Sequence, residues 1–268
     1  MRVLREMERV EWRVLGALRP VDAATGVPIA RPLRIEAPGA IITRNRSGLY
    51  VIRRWNALAA HESEFLAPPA APAPGSLVLE LRVTDDAGEH LPIAATVRLP
   101  RVADAPGALS PESLFRPHDI AMYPSAAAPV GENWAVLRAS VTASGNGDVL
   151  GGALVRVIAN GNVLARGLTD WRGEALVAVV GVPVTTFSDA PDAVVVTEIN
   201  VTVQAAFDPA RGRRTPVADL RAGRTPASLP IVDPLAIDAA FDTLPRSQIA
   251  LAIAARRSKA VALAIDVP

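Results

Sequence analysis

The sequence predicts an all-β protein made of two antiparallel β-sandwich domains with long proline-rich loops. Three observations lead there. Apolar residues alternate with polar ones over short runs, the period of a half-buried strand. Glycine, aspartate and asparagine cluster between those runs, as turns require. The 24 prolines and 18 glycines break the chain too often for long helices. Half of the 268 residues are apolar but only 4% are aromatic, so the core must be Val, Ile, Leu and Ala. Such side chains suit thin β-layers, and the chain is long enough to bury them.

Residues 1–9 hold Val3, Leu4 and Met7 at helical spacing and are expected to form an N-terminal arm. Residues 10–132 are expected to be the first β-sandwich with an irregular connector. Val10, Trp12 and Val14 alternate with charged residues as a strand, which turns at 19–26 into extended pieces at 27–29 and 33–35. Asn45-Arg46-Ser47-Gly48 turns before Leu49-Tyr50-Val51-Ile52. Residues 67–75, APPAAPAPG, form a spacer or loop. Residues 77–83 alternate cleanly, Asp85-Asp86-Ala87-Gly88 turns, and 93–99 return. Two openings look alike: Val21-Asp22-Ala23-Ala24-Thr25-Gly26 leading to Pro28-Ile29, and Val83-Thr84-Asp85-Asp86-Ala87-Gly88 leading to Pro92-Ile93. Five prolines space residues 101–132, which should lie over the first domain because Leu114, Phe115, Ile120, Met122 and Tyr123 need burial.

Residues 133–268 are expected to be the second sandwich, closed by a C-terminal hairpin. Its centre is residues 150–187. Ala153, Val155 and Val157 alternate with Leu154, Arg156 and Ile158 before Asn160-Gly161, a hairpin signal. At the turn Thr169-Asp170-Trp171-Arg172-Gly173, the Asp170 carboxylate can accept from backbone N–H groups and Gly173 can take a positive φ. Residues 194–207 alternate as one long strand and 208–246 are loop-rich. In 247–267, Ile249, Leu251 and Ile253 should face Val261, Leu263 and Ile265.

This central stretch resembles the carboxypeptidase-regulatory-like and transthyretin-like β-sandwich modules. The likeness lies in Gly152-Ala153-Leu154-Val155-Arg156-Val157, in Ala165-Arg166-Gly167-Leu168-Thr169-Asp170 and in Gly173, about 60 residues in all. The resemblance implies a fold; such modules usually have no catalytic residues of their own, so it implies no activity. The combination RPVDAATGVPI, NRSGLYVI, LARGLTDWRGEALVAVVGVPVTTF and FDPARGR also looks like accessory proteins of contractile, phage-tail-like injection particles. That resemblance implies a structural or attachment role.

Composition narrows the chemistry. A net charge of +1 gives no bulk attraction to nucleic acid. No cysteine is present, which removes disulfides, thiolate nucleophiles and thiolate metal sites. The first residues mix charges without an apolar core, and no uncharged run reaches membrane-span length. The expectation is a cytoplasmic protein, or one carried out as part of a released particle, with no membrane insertion.

His61, His90 and His118 share no motif, and no G-x-S-x-G or phosphate-binding loop occurs. Asp85, Asp86, Glu89 and His90 are the densest potential metal ligands and are expected to form a solvated hairpin tip. Arg211, Arg213, Arg214, Arg256 and Arg257 are expected in solvated loops. No residue is assigned a catalytic, cofactor-binding or metal-binding role. The leading expectation is a non-enzymatic protein whose partners are other protein subunits, in a larger assembly or homo-oligomer. A carbohydrate- or surface-binding module would need exposed clustered aromatics. A hydrolase would need residues such as His118, Asp119 and a distant serine to converge.

Overall fold

Between residues 135 and 143 every second side chain is apolar, and that spacing decides which face of a strand leaves water. The protein is described from a computed structural model that covers residues 13–63, 70–183 and 198–267. Strands make up 45% of it and helices 9%, and the longest described helix has six residues. The fold is all-β. The N-terminal arm, the strand signal at Val10 and Trp12, and the opening parts of the 67–75 loop and 194–207 strand lie outside the described residues.

The chain forms two units. The smaller takes in residues up to Arg19, Ile35–Leu81 and Thr96–Asp119; the larger takes in Pro20–Arg34, Arg82–Ala95 and the chain from Ile120. Residues 20–34, 82–95 and 120–132, grouped by sequence with the first sandwich, thus fall in the larger unit.

The strands in the first half are β1 (Gly16–Asp22), β2 (Arg34–Glu36), β3 (Ala40–Arg44), β4 (Tyr50–Trp55), β5 (Leu77–Thr84), β6 (Ile93–Leu99) and β7 (His118–Met122). A short helix, α1 (Ala59–Ser63), follows β4. One sheet runs β3-β4-β1-β7 and another β2-β5-β6. The Asn45–Gly48 turn closes the β3/β4 hairpin, with Asn45 N–H donating to the Leu49 carbonyl at 2.8 Å. Leu18, Ile52, Leu58, Leu79 and Leu99 are fully buried in the smaller unit.

Residues 101–117 are irregular but anchored. The buried Arg101 guanidinium donates to the carbonyls of Ser113 (3.0 Å), Pro111 and Arg116. Beside it is a short parallel bridge, in which Val102 N–H donates to the Glu112 carbonyl and Leu114 N–H to the Val102 carbonyl. Ile120, Met122 and Tyr123 are buried as expected, but Phe115 is exposed. The Arg101 clamp already holds this loop through its backbone, so Phe115 does not have to anchor it.

The second half contains β8 (Ala135–Ala143), β9 (Val149–Gly151), β10 (Leu154–Ala159), β11 (Asn162–Leu168), β12 (Glu174–Val179), β13 (Glu198–Ala206), β14 (Arg213–Thr215), β15 (Arg246–Ala254) and β16 (Ser258–Ile265). Two short helices, α2 (Val217–Arg221) and α3 (Pro234–Ala239), interrupt it. One sheet runs β11-β10-β13-β15. In the other, β12 and β16 both pair with the same stretch of β8 and so hold its two edges, with β9 and β14 continuing on the β12 side.

The two sheets meet through a common core. Leu137, Val141, Val177 and Leu263 come from one, and Val155, Val157, Val203 and Ile253 from the other. Each such side chain contributes about 1.5–3 kcal/mol when taken from water. At the β10/β11 hairpin, Asn160 and Gly161 both have positive φ, at 49° and 76°, the conformation that a two-residue turn with the right twist demands.

The closing run departs from expectation. β15 pairs antiparallel with β13, whereas β16 pairs in parallel with β8, in the opposite sheet. Residues 247–267 therefore form a corner between sheets and not a hairpin. Arg256 has a φ of 61°, its N–H donates to the Trp134 carbonyl at 3.0 Å, and Val136 N–H donates to the Arg257 carbonyl at 2.9 Å. The corner places Ile253 on one sheet opposite Val261, Leu263 and Ile265 on the other, so the two runs face each other across the core.

Candidate functional site

The two look-alike openings come together in the larger unit. Each begins as an aspartate turn. Asp22 Oδ1 accepts from Thr25 N–H at 2.8 Å and Ala24 N–H at 3.2 Å, and Asp85 Oδ1 accepts from Ala87 N–H at 3.0 Å. A short polar side chain placed to accept from the backbone just ahead is what favours a tight turn at both positions. Asp85 Oδ2 also accepts from His90 N–H at 2.9 Å, which folds the second turn back on itself.

His90 then joins the turns. Its Nε2 lies 3.2 Å from Asp22 Oδ2, and its Nδ1 lies 2.6 Å from Arg31 Nη2 and 3.4 Å from Asp85 Oδ2. A guanidinium can only donate, so Nδ1 accepts from Arg31 and Nε2 donates to Asp22. Arg31 completes the brace with ion pairs to Asp85 and Glu89. The Asp85 side chain is 1% exposed and that of His90 9%. This corrects the solvated hairpin tip expected from sequence: Asp86 and Glu89 face water, but Arg31 covers Asp85 and His90.

Burial would raise the Asp85 carboxyl, but hydrogen bonds from His90 N–H, Arg31 and Ala87 N–H outweigh it and hold it below the usual range. Burial likewise opposes ionisation of Asp22, and the hydrogen bonds from His90 and Thr25 prevail. Burial would lower the Arg31 guanidinium, and its bonds to Glu89 and Asp85 raise it instead.

Beside this brace lies a cleft of about 260 Å³, floored by Leu176 and Ala178 of β12 and walled by Pro28, Ile29, Pro124 and Trp134. Asp22, Glu89 and His90 form its polar side. Trp134 is seated on Gly131, where an added Cβ would come within 2.5 Å of the indole. The cleft can take an apolar group and present carboxylates to its end. His90 has both ring nitrogens occupied, so accepting a proton from a substrate would first require breaking the contact with Arg31.

A second charged cluster pins α3 to the outer face of the sheet. Arg156 and Arg166, opposite each other on β10 and β11, both bind Asp238, through Nε at 2.7 and 3.0 Å. Arg156 also lies 3.7 Å from the Phe241 ring centre. Burial pushes the nearby Tyr123 hydroxyl up to about 12. Asp233 caps α3 by accepting from Leu235 and Ala236 N–H.

The remaining sequence candidates separate. In the smaller unit Asp119 accepts from Arg19 at 2.6 and 2.9 Å, and His61 is buried. Burial, then the charge of Arg13, lowers His61. Arg211 pairs with Asp208, Arg214 with Asp148, and Arg213 donates to Ser228. Trp134 and Trp171 line separate concavities. Among the described residues no group of three or more His, Asp and Glu is arranged to hold a metal. Asp85 and His90, the candidate ligands of the hairpin tip, are engaged by Arg31, backbone N–H groups and Asp22. Chelator should therefore leave the melting temperature unchanged; a fall of several degrees, recovered by calcium or zinc, would overturn that.

Against known proteins the outcome is short. No family model matches the chain, and no curated protein matches it. Among the described residues no helix is long and apolar enough to cross a membrane.

Proposed function

We propose that the protein is a non-enzymatic structural or attachment component that acts through contacts with other protein subunits. The observation that favours this is the sheet β11-β10-β13-β15. Among the described residues both of its terminal strands have an edge without a neighbouring strand in the sheet, and each bears a large apolar residue in water, Leu164 and Ile249, both 42% exposed. Unpaired edge groups beside apolar side chains are what an added strand from another chain would use. The titratable groups that the fold brings together are engaged in braces between segments, a structural use of charge. The finer reading, a component of a contractile phage-tail-like particle, has the sequence resemblance as its support.

Light scattering on the purified chain, with pull-down from the native cell, tests the reading. The wild type should self-associate or recover a structural partner, and Leu164→Lys combined with Ile249→Lys should abolish this while leaving the melt intact. A strictly monomeric wild type that recovers no such partner would overturn it.

A further inference from the structure

We propose that the cleft beside the Asp22–His90–Asp85 brace receives a single arginine side chain from a partner protein. The inference rests on the reading that this protein works through protein contacts, and it specifies the chemistry of one of them.

Size limits the occupant first. The cleft, about 260 Å³, has room for one long side chain.

Charge sets its sign. Asp22, Asp85 and Glu89 bring three carboxylates, against which stands the Arg31 guanidinium, and His90 accepts through Nδ1 and so adds no charge. Arg34 and Asp86 beside them pair with each other at 3.0 Å and cancel. Two negative charges remain in surplus next to a largely apolar hollow. The Glu89 side chain is 47% exposed, so it can turn toward a newcomer without leaving Arg31 unpaired, because Asp85 keeps its bond to Arg31.

Shape selects among cations. A lysine ammonium is compact and strongly hydrated, whereas a guanidinium is planar, more weakly hydrated and stacks on aromatic faces. Trp134 walls the cleft within the same hollow as Glu89, and Gly131 behind it holds the indole in place. An arginine would lay its methylenes along Ile29 and Leu176 and bring its head between Trp134 and the carboxylates.

The test uses the full chain, labelled with ¹⁵N, and N-acetyl-arginine amide as the probe. The indole resonance of Trp134 is identified by its loss in Trp134→Phe, or by direct assignment if that variant does not fold. A saturable shift with the arginine amide is expected, at least fivefold weaker with N-acetyl-citrulline amide, which has the same shape without the charge. Glu89→Gln, at an exposed position, should weaken binding at least threefold while the chain still melts as a folded protein, because Asp85 keeps its bond to Arg31. No shift, an equal shift with citrulline or with tetramethylammonium, or an affinity unaltered by Glu89→Gln would each overturn the proposal. Probe binding by a protein that neither self-associates nor finds a partner would remove the functional reading alone. Association without probe binding would remove the arginine site alone.

Discussion

Gly173→Val should destabilise the larger unit by at least about 3 kcal/mol, from two costs at one atom. The backbone φ of Gly173 is 72°, where a β-branched residue is strained. An added Cβ would also stand 2.6 Å from the Val141 carbonyl oxygen and 3.1 Å from Val149 Cβ, both on strands that cannot withdraw singly. Gly88→Val supplies the control. Its φ is 71°, but nothing lies within 4 Å of the added atom, so it should lose only the strain, about 1–2 kcal/mol. Denaturant melts of the two variants measure the difference; equal losses would mean that the close approach at Gly173 is absent.

The second large effect belongs to Asp85. Asp85→Ala removes a buried acceptor of two backbone N–H groups and leaves Arg31 partly buried beside His90 with one carboxylate fewer. Removing one partner of such a pair costs about 3–5 kcal/mol when the other stays buried. Because Arg31 can still reach Glu89 and water, the lower end, about 3 kcal/mol, is expected in urea at pH 7. A loss below about 1 kcal/mol would show that the brace contributes little.

The same carboxylates set the response to acid. The folded-state pKa values of Asp22, Asp85 and Asp238 lie below their unfolded values. Their stabilisation is present above the unfolded value, near 4, and is lost as pH falls through the folded values. Urea midpoints of the larger unit should therefore hold from pH 7 to 5 and fall below pH 4. The smaller unit, whose buried His61 is held low, should lose stability as pH falls below about 6.5. Asp170 has the opposite sign. Burial raises it despite hydrogen bonds from Glu174 and Arg172 N–H, so its contribution is present at low pH and lost as pH rises through its folded value. Asparagine can accept both N–H groups through one oxygen without the buried charge. Asp170→Asn should thus keep or raise stability at pH 7, whereas Asp170→Ala should cost about 1 kcal/mol or more. A loss as large in Asp170→Asn as in Asp170→Ala would contradict this.

What could be read from the sequence was local. Asn160-Gly161 and Asp170 to Gly173 are turns whose chemistry is complete within five residues, and the structure places each as expected. Alternation marked Ala153, Val155 and Val157 as one face along β10 for the same reason, and all three are buried in the core. The brace was different. Asp85, Glu89 and His90 stand out in the sequence as a cluster, but Arg31, 54 residues from Asp85, makes them structural, and nothing near Arg31 marks it. The one available signal was the likeness of the two openings, whose shared turn chemistry matches their meeting through His90. Period alone also cannot tell two runs side by side from two runs facing across a core, which is why β15 and β16 read as a hairpin.

That last strand gives the chain a particular order of assembly. β8 is made early in the second half, yet its neighbour β16 begins at Ser258, more than a hundred residues after β8. Until then one edge of β8 has no partner, and Val261, Leu263 and Ile265 are missing from the core it faces. Parallel pairing over such a distance must wait for a long loop to close, which slows refolding toward the millisecond-to-second range. A growing chain that stalls before residue 258 would present an open apolar edge to its neighbours, the state in which sandwiches of this kind aggregate.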